Sequence, residues 1–242
     1  MSTADSRLYV ALDLPTVEEA RAMVATLGDA VSSYKIGLQL LPVGGAELAR
    51  ELAGEGHAVF ADFKLHDIGA TVEKATRSIA GLGVDLLTVH ARPEVMAAAA
   101  RGAEGSALKV LGVTVLTSLD EGALRDIGYG YSAEELVLRR ADQAVAAGIH
   151  GVVSSPLEAE AVRARVPKGF LVVTPGVRPT GSATGDQKRI STPADALRAG
   201  ASHLVVGRPI TQAEDPRAAA LAITEEMAGC RSGAASAAGF DW

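Results

Sequence analysis

The stretch His57-Ala58-Val59-Phe60-Ala61-Asp62-Phe63-Lys64-Leu65-His66-Asp67 begins as an apolar run and ends in ionisable residues. A near-continuous apolar run is what a strand buried on both faces of a parallel sheet requires. In such a strand residues two apart share a face. Asp62 and Lys64 are therefore expected side by side, with Asp67 just beyond in the following loop. Carboxylates flanking an ammonium at a strand end are costly to desolvate, and a fold rarely places them there for stability alone. The pattern reads as catalysis at the C-terminal end of a parallel strand.

The same rhythm runs outward in both directions. Short apolar segments are expected as strands at Leu8–Asp13, Ser33–Leu38, His57–Phe63, Val84–His90, Lys109–Leu116, Gly151–Ser154, Phe170–Thr174 and His203–Val206. Ala/Leu/Glu/Arg-rich helical segments begin near Thr16, Gly44, Gly69, Pro93, Ser132, Pro156, Pro193 and Asp215. Thr16 with Glu19, and Ser132 with Glu135, have capping-box spacing. Repeated βα units imply a (β/α)8 TIM barrel of class α/β, a single domain over residues 1–228, with its active site at the C-terminal strand ends. A doubly wound open sheet is the alternative. Two long connections, Leu119–Tyr131 and Pro175–Thr192, interrupt the rhythm, and loops of that length are usually functional or disordered. The small-residue-rich segment 229–242, which contains Phe240 and Trp242, is expected to be a flexible tail.

Composition narrows the function classes. Of 242 residues 48% are hydrophobic, enough for a sizeable core, and the formal net charge of −6 argues against a broad nucleic-acid or anionic-membrane surface. The single cysteine, Cys230, rules out an internal disulfide and fits a reducing compartment. Met1–Arg7 is polar, unlike a signal peptide, and no apolar run approaches a membrane span. The expectation is a cytoplasmic protein.

The strand ends then supply the candidate site: Asp13, Lys35, Asp62 with Lys64, His90, Thr117, Ser154, Pro175-Gly176 and Gly207-Arg208. Singly each has an ordinary reading: Asp13 as a helix cap, Lys35 snorkelling to solvent, His90 as a hydrogen-bonded structural histidine. Together, two lysines and two aspartates converge on one mouth, where each needs the others to stay charged. A second group points to an anion. Loops after the seventh and eighth strands of such barrels often bind phosphate, and here they carry Arg178, Gln187, Gly207 and Arg208. Guanidinium groups match phosphate oxygens in bidentate geometry. No dinucleotide, P-loop, His-Glu-x-x-His or nucleophile-elbow motif occurs, and the five histidines lack metal-ligand spacing. The strongest metal candidate is an oxygen site around Asp62 and Asp67.

Over residues 8 to 228 the chain resembles the bacterial-type orotidine 5'-monophosphate decarboxylase family. The matching segments are Val10-Ala11-Leu12-Asp13, Tyr34-Lys35-Ile36-Gly37, Asp62-Phe63-Lys64-Leu65-His66-Asp67-Ile68, Val113-Thr114-Val115-Leu116-Thr117-Ser118, Thr174-Pro175-Gly176-Val177-Arg178-Pro179, Gly185-Asp186-Gln187-Lys188-Arg189 and Val206-Gly207-Arg208-Pro209. Asp-x-Lys-x-x-Asp alone marks a wider suprafamily; its combination with Lys35, the Gln187 loop and Gly207-Arg208 is specific. The resemblance implies a cofactor-free homodimer that converts orotidine 5'-monophosphate to UMP and carbon dioxide, the last step of de novo UMP synthesis, with no resident metal. It implies that Asp13 binds ribose and that Lys35, Asp62, Lys64 and Asp67 form the charged array. Asp67 and Thr71 would reach the partner's site, Thr117 would lie beside the pyrimidine, and Arg178, Gln187, Gly207 and Arg208 would hold the phosphate. Where the family commonly has Pro-Asn-Thr this chain has Gly69-Ala70-Thr71, which gives up the stiffness of proline but keeps the threonine. Two rivals stand beside this reading. Metal-dependent suprafamily enzymes place a carboxylate on the second strand, where Lys35 would repel a divalent cation. The other is a catalytically silent nucleotide-binding barrel.

Overall fold

The computed structural model describes residues 4–179 and 191–234. Its strands are β1 (Leu8–Ala11), β2 (Ser33–Gly37), β3 (Ala58–Leu65), β4 (Leu86–His90), β5 (Lys109–Val113), β6 (Gly151–Val153), β7 (Leu171–Thr174) and β8 (His203–Val206). They are all parallel and follow one another in order, and β8 pairs with β1 to close the barrel. Closure excludes the open doubly wound sheet, which must leave two edges. The helices are α1 (Val17–Leu27), α2 (Gly45–Gly54), α3 (Gly69–Ala80), α4 (Pro93–Ala103), α5 (Glu121–Asp126), α6 (Ala133–Ala146), α7 (Ala159–Arg165), α8 (Pro193–Arg198), α9 (Arg208–Thr211) and α10 (Pro216–Ala234).

Strand alternation separates two cores. Tyr9, Ala11, Phe60, Leu86, Leu111, Val173 and Val205 point into the barrel and fill it, with Tyr9 edge-on to Phe60 at 5.8 Å. Their neighbours Val10, Val59, Ala61, Leu87, Val89, Val110 and Val172 face outward and join a larger shell under the helices. Both faces of each strand are thus buried, and this is why the strands read as unbroken apolar runs. The axial chemistry can emerge only where the lumen opens, at the C-terminal ends.

Capping explains the helix starts. Thr16 accepts the Glu19 amide at 3.1 Å, Ser132 and Glu135 form a reciprocal capping box, and Thr192 accepts the Asp195 amide. Each such cap contributes about 1 kcal/mol. Several boundaries depart from the sequence expectation. β5 ends at Val113 rather than Leu116: the Thr114 amide makes the last ladder bond, to the Val153 carbonyl that its hydroxyl also reaches, and Arg140 takes the Thr114 carbonyl. The Leu119–Tyr131 connection contains α5, opened by Asp120 accepting the Ala123 amide. The helix expected from Pro156 starts at Ala159, after a turn in which the Glu158 amide bonds the Ser155 carbonyl. A short α9 follows β8 directly. α10 continues through Ala234, into the segment expected as a flexible tail; the remainder of that tail, with Phe240 and Trp242, lies outside the described residues. None of the described helices is long and apolar enough to cross a membrane.

Candidate active site

The barrel mouth holds a cavity of about 440 Å³, within the range that accommodates a small ligand. Its wall carries four charged groups in alternating order. Lys35 Nζ lies 3.0 Å from Asp13 Oδ1 and 3.5 Å from Asp62 Oδ2, and Lys64 Nζ lies 2.8 Å from the same Asp62 oxygen. Three successive strands supply them: Asp13 just past β1, Lys35 within β2, Asp62 and Lys64 on β3. Gly37 makes the first contact possible, since a Cβ there would lie 2.8 Å from Asp13 Oδ1 and 2.9 Å from Lys35 Nζ.

Lys35 is only 6% exposed, so its ammonium relies on these two carboxylates to replace water. Burial alone would push the Asp62 carboxyl up. The Lys35 and Lys64 ammoniums, with hydrogen bonds from Lys64 and Thr88, outweigh burial and hold it below the usual carboxylate range. Asp62 is therefore ionised throughout the neutral range. The period-2 reading of Asp62 and Lys64 agrees with their contact, yet the backbone between them is not a regular strand. Lys64 has φ +49°, the left-handed region that non-glycine residues rarely enter.

Past the ends of β7 and β8, the second of which pairs with β1, Arg178 and Arg208 with Gly207 line the same cavity beside Pro175 and Gly176. Arg178 is buried, and its amide bonds the Ser191 carbonyl at 2.9 Å where Val177 and Ser191 bridge the base of the long loop. Gln187 lies outside the described residues. Phe60, Val113, Val153 and Val205 add apolar lining, and Thr117 also lines the cavity. Ser154 follows β6 directly, at its C-terminal end. It lines this wall at 1% exposure, and its hydroxyl has no hydrogen-bond partner among the described residues.

Two expected members lie apart. Asp67 is exposed and does not line the cavity; it accepts the following Ile68 amide at 2.6 Å, and no ion pair joins it to Lys64 among the described residues. The loop leaving β3 carries it away from its own barrel axis. Thr71, in the first turn of α3, is likewise exposed outside the cavity. His90 also stays off the cavity wall and packs against His66, ring centroids 5.1 Å apart. Burial, followed by the charges of His66, Arg140 and Lys64, pushes its imidazole below the usual histidine range. Among the described residues, no group of His, Cys, Asp and Glu is arranged to hold a metal ion.

Sequence reasoning missed Thr88 altogether. Thr88-Val89-His90-Ala91 drew notice for its histidine, although Thr88, two residues earlier, shares the inward face. Its hydroxyl donates to Asp62 Oδ1 at 2.8 Å.

Fold and site define a (β/α)8 barrel whose mouth holds a lysine–aspartate array and two guanidinium groups in one cavity. The family model described as orotidine 5'-phosphate decarboxylase / HUMPS family matches residues 6–223. A relative from Caulobacter sp. (strain K31), an orotidine 5'-phosphate decarboxylase, is 63% identical over 227 residues, covering 94% of this chain and 99% of its own length. A second, from Caulobacter vibrioides (strain NA1000 / CB15N) and of the same name, is 60% identical over 232 residues, with the same coverage of both chains. Among solved structures, orotidine 5'-phosphate decarboxylase from Lactobacillus acidophilus superposes with a TM-score of 0.81 at 36% identity, covering 92% of this chain and 99% of that one. The corresponding enzyme from Pyrococcus horikoshii OT3 gives a TM-score of 0.75 at 28% identity over 92% of this chain and 99% of its own. The chain belongs to the orotidine 5'-phosphate decarboxylase / HUMPS family.

Proposed function

We propose that this chain decarboxylates orotidine 5'-monophosphate to UMP and carbon dioxide, the last step of de novo UMP synthesis, without a cofactor and in the cytoplasm. The observation that carries the reading is Asp62 Oδ2 shared by the Lys35 and Lys64 ammoniums inside the mouth cavity.

Loss of carbon dioxide from the pyrimidine C6 leaves the bonding electron pair on a carbon with no conjugated sink. A fixed ammonium stabilises such a charge far better in a water-poor site than water can, because no reorganisation is needed as the charge develops. Lys64 supplies that ammonium, and then transfers its Nζ proton to C6. The neutral amine regains a proton from solvent. Asp62 keeps Lys64 charged and aimed, and faces the departing carboxylate; Lys35 keeps Asp62 ionised and, with Asp13, borders the ribose. Thr117 lies beside the base, and the unpartnered Ser154 hydroxyl offers the base edge a hydrogen bond.

Arg178, Gln187, Gly207 and Arg208 hold the phosphate. Binding energy from that remote group is expressed in the transition state when it drives loop closure over the site. Asp67 and Thr71 complete a neighbouring site in a homodimer; their exposure outside their own cavity supports this assignment.

The test is a spectrophotometric assay of orotidine 5'-monophosphate loss with EDTA present. Turnover with chelator is the expected result. Activity only on a sugar phosphate with Mg²⁺ would mean the role of Lys35 is misread, and silence on both substrates would favour a nucleotide-binding barrel.

A further inference from the structure

β3 and β4 do not pair evenly. Ala61 stands opposite Leu87 and Leu65 opposite Val89, so Asp62, Phe63 and Lys64 together face the single residue Thr88. The extra length is a bulge, a feature that re-aims side chains at the cost of ladder hydrogen bonds. Here it coincides with the left-handed backbone of Lys64. An L-residue persists in that conformation only when its surroundings over-determine it.

Thr88 supplies the determinants. Its side chain is fully buried, and its hydroxyl accepts the Lys64 backbone amide at 3.0 Å while donating to Asp62 Oδ1 at 2.8 Å. A threonine hydroxyl has one donor and two acceptor positions, so a single oxygen can serve both residues. The first bond replaces the ladder partner that the bulge removes from Lys64. The second fixes the plane of the Asp62 carboxylate, leaving Oδ2 for the two lysines.

Resting on the proposed function, we infer that Thr88 is a positioning residue for the decarboxylation: it locks the β3 bulge and thereby aims both Lys64 and Asp62 at the reacting carbon. It touches neither substrate nor reacting atoms. Valine has the same shape but lacks the hydroxyl, leaving the Lys64 amide and Asp62 Oδ1 without their partner. Serine keeps the hydroxyl and loses only a methyl group.

The experiment compares wild type, Thr88→Val and Thr88→Ser for kcat and KM on orotidine 5'-monophosphate. Loss of a hydrogen bond to a charged group is expected to lower kcat of the valine variant by about tenfold or more. KM should change by less than about threefold, because the phosphate and base contacts that dominate ground-state binding are untouched. Thr88→Ser should recover most of the loss. A valine variant with wild-type kcat would overturn the inference. So would an equal loss in the serine variant, or a loss carried by KM alone. Thr88→Ala replaces the valine variant if that protein does not fold. A crystal structure of the variant reads the geometry without turnover, and so separates this inference from the proposed reaction. Lys64 leaving the left-handed region supports it; an unchanged Lys64 backbone and an unchanged Asp62 contact overturn it, whatever the wild-type protein does with the nucleotide.

Discussion

Asp62 lies between two ammoniums, and the balance at this carboxyl decides the charge of the whole array. Lys35 is one of the two cations opposing the effect of burial. Replacing it in Lys35→Met removes that attraction and raises the Asp62 pKa, because a nearby opposite charge favours the ionised carboxylate. Ionised Asp62 is the working form in the proposed mechanism, so the sign follows directly: the acid limb of the kcat profile moves to higher pH in the variant. An unmoved limb, measured from pH 4 to 8, would contradict the assignment. At this scale the pair Asp62 and Lys64 was legible from strand periodicity alone. The left-handed Lys64 was not, because its cause is a hydroxyl on the neighbouring strand, 24 residues away in sequence. Ser154 and Gly37 were visible as residues but not in their roles, which depend on side chains that only the folded barrel brings beside them.

Among the elements, α3 and α4 pack closely and flank the loop that carries Asp67. The close approach runs through Gly102, where a Cβ would meet the Glu73 carbonyl oxygen at 2.5 Å and Thr76 Cβ at 2.7 Å. In an isolated helix Gly→Ala gains roughly 0.5–1 kcal/mol from backbone entropy. Here the added methyl runs into backbone, and overpacking costs about 1–3 kcal/mol. Gly102→Ala is therefore expected to be destabilised by about 1 kcal/mol or more in urea titrations. A variant as stable as wild type would contradict the packing. Element positions were readable because apolar runs and caps are local signals. The ends of β5 and the start of α7 were not, since side-chain and turn hydrogen bonds at Thr114 and Ser155 decide them. α5 was missed because a six-residue helix leaves little periodicity to detect.

For the whole molecule, a barrel rather than an open sheet was inferred from the count of βα units, and the β8–β1 pairing agrees. What one chain's sequence conveys least is the division of work between the two chains of the proposed homodimer. Asp67 and Thr71 sit outside their own cavity, as a shared site requires. In an isologous dimer, a Lys64→Ala protomer still offers Asp67, and an Asp67→Ala protomer still offers Lys64. Mixing the two inactive variants through unfolding and refolding should restore about a quarter of wild-type activity, from one intact site per mixed dimer. If the mixture stays as inactive as its components, the site is not shared across subunits.

In the proposed mechanism Lys64 carries the central chemistry, as both the stabilising charge and the proton donor at C6. The decisive measurement is turnover of orotidine 5'-monophosphate by Lys64→Ala, alongside calorimetric titration of the same protein with UMP. The account predicts that UMP binds nearly as in wild type while decarboxylation is lost. Substantial residual decarboxylation in that variant would show that the proton and the charge stabilisation come from elsewhere.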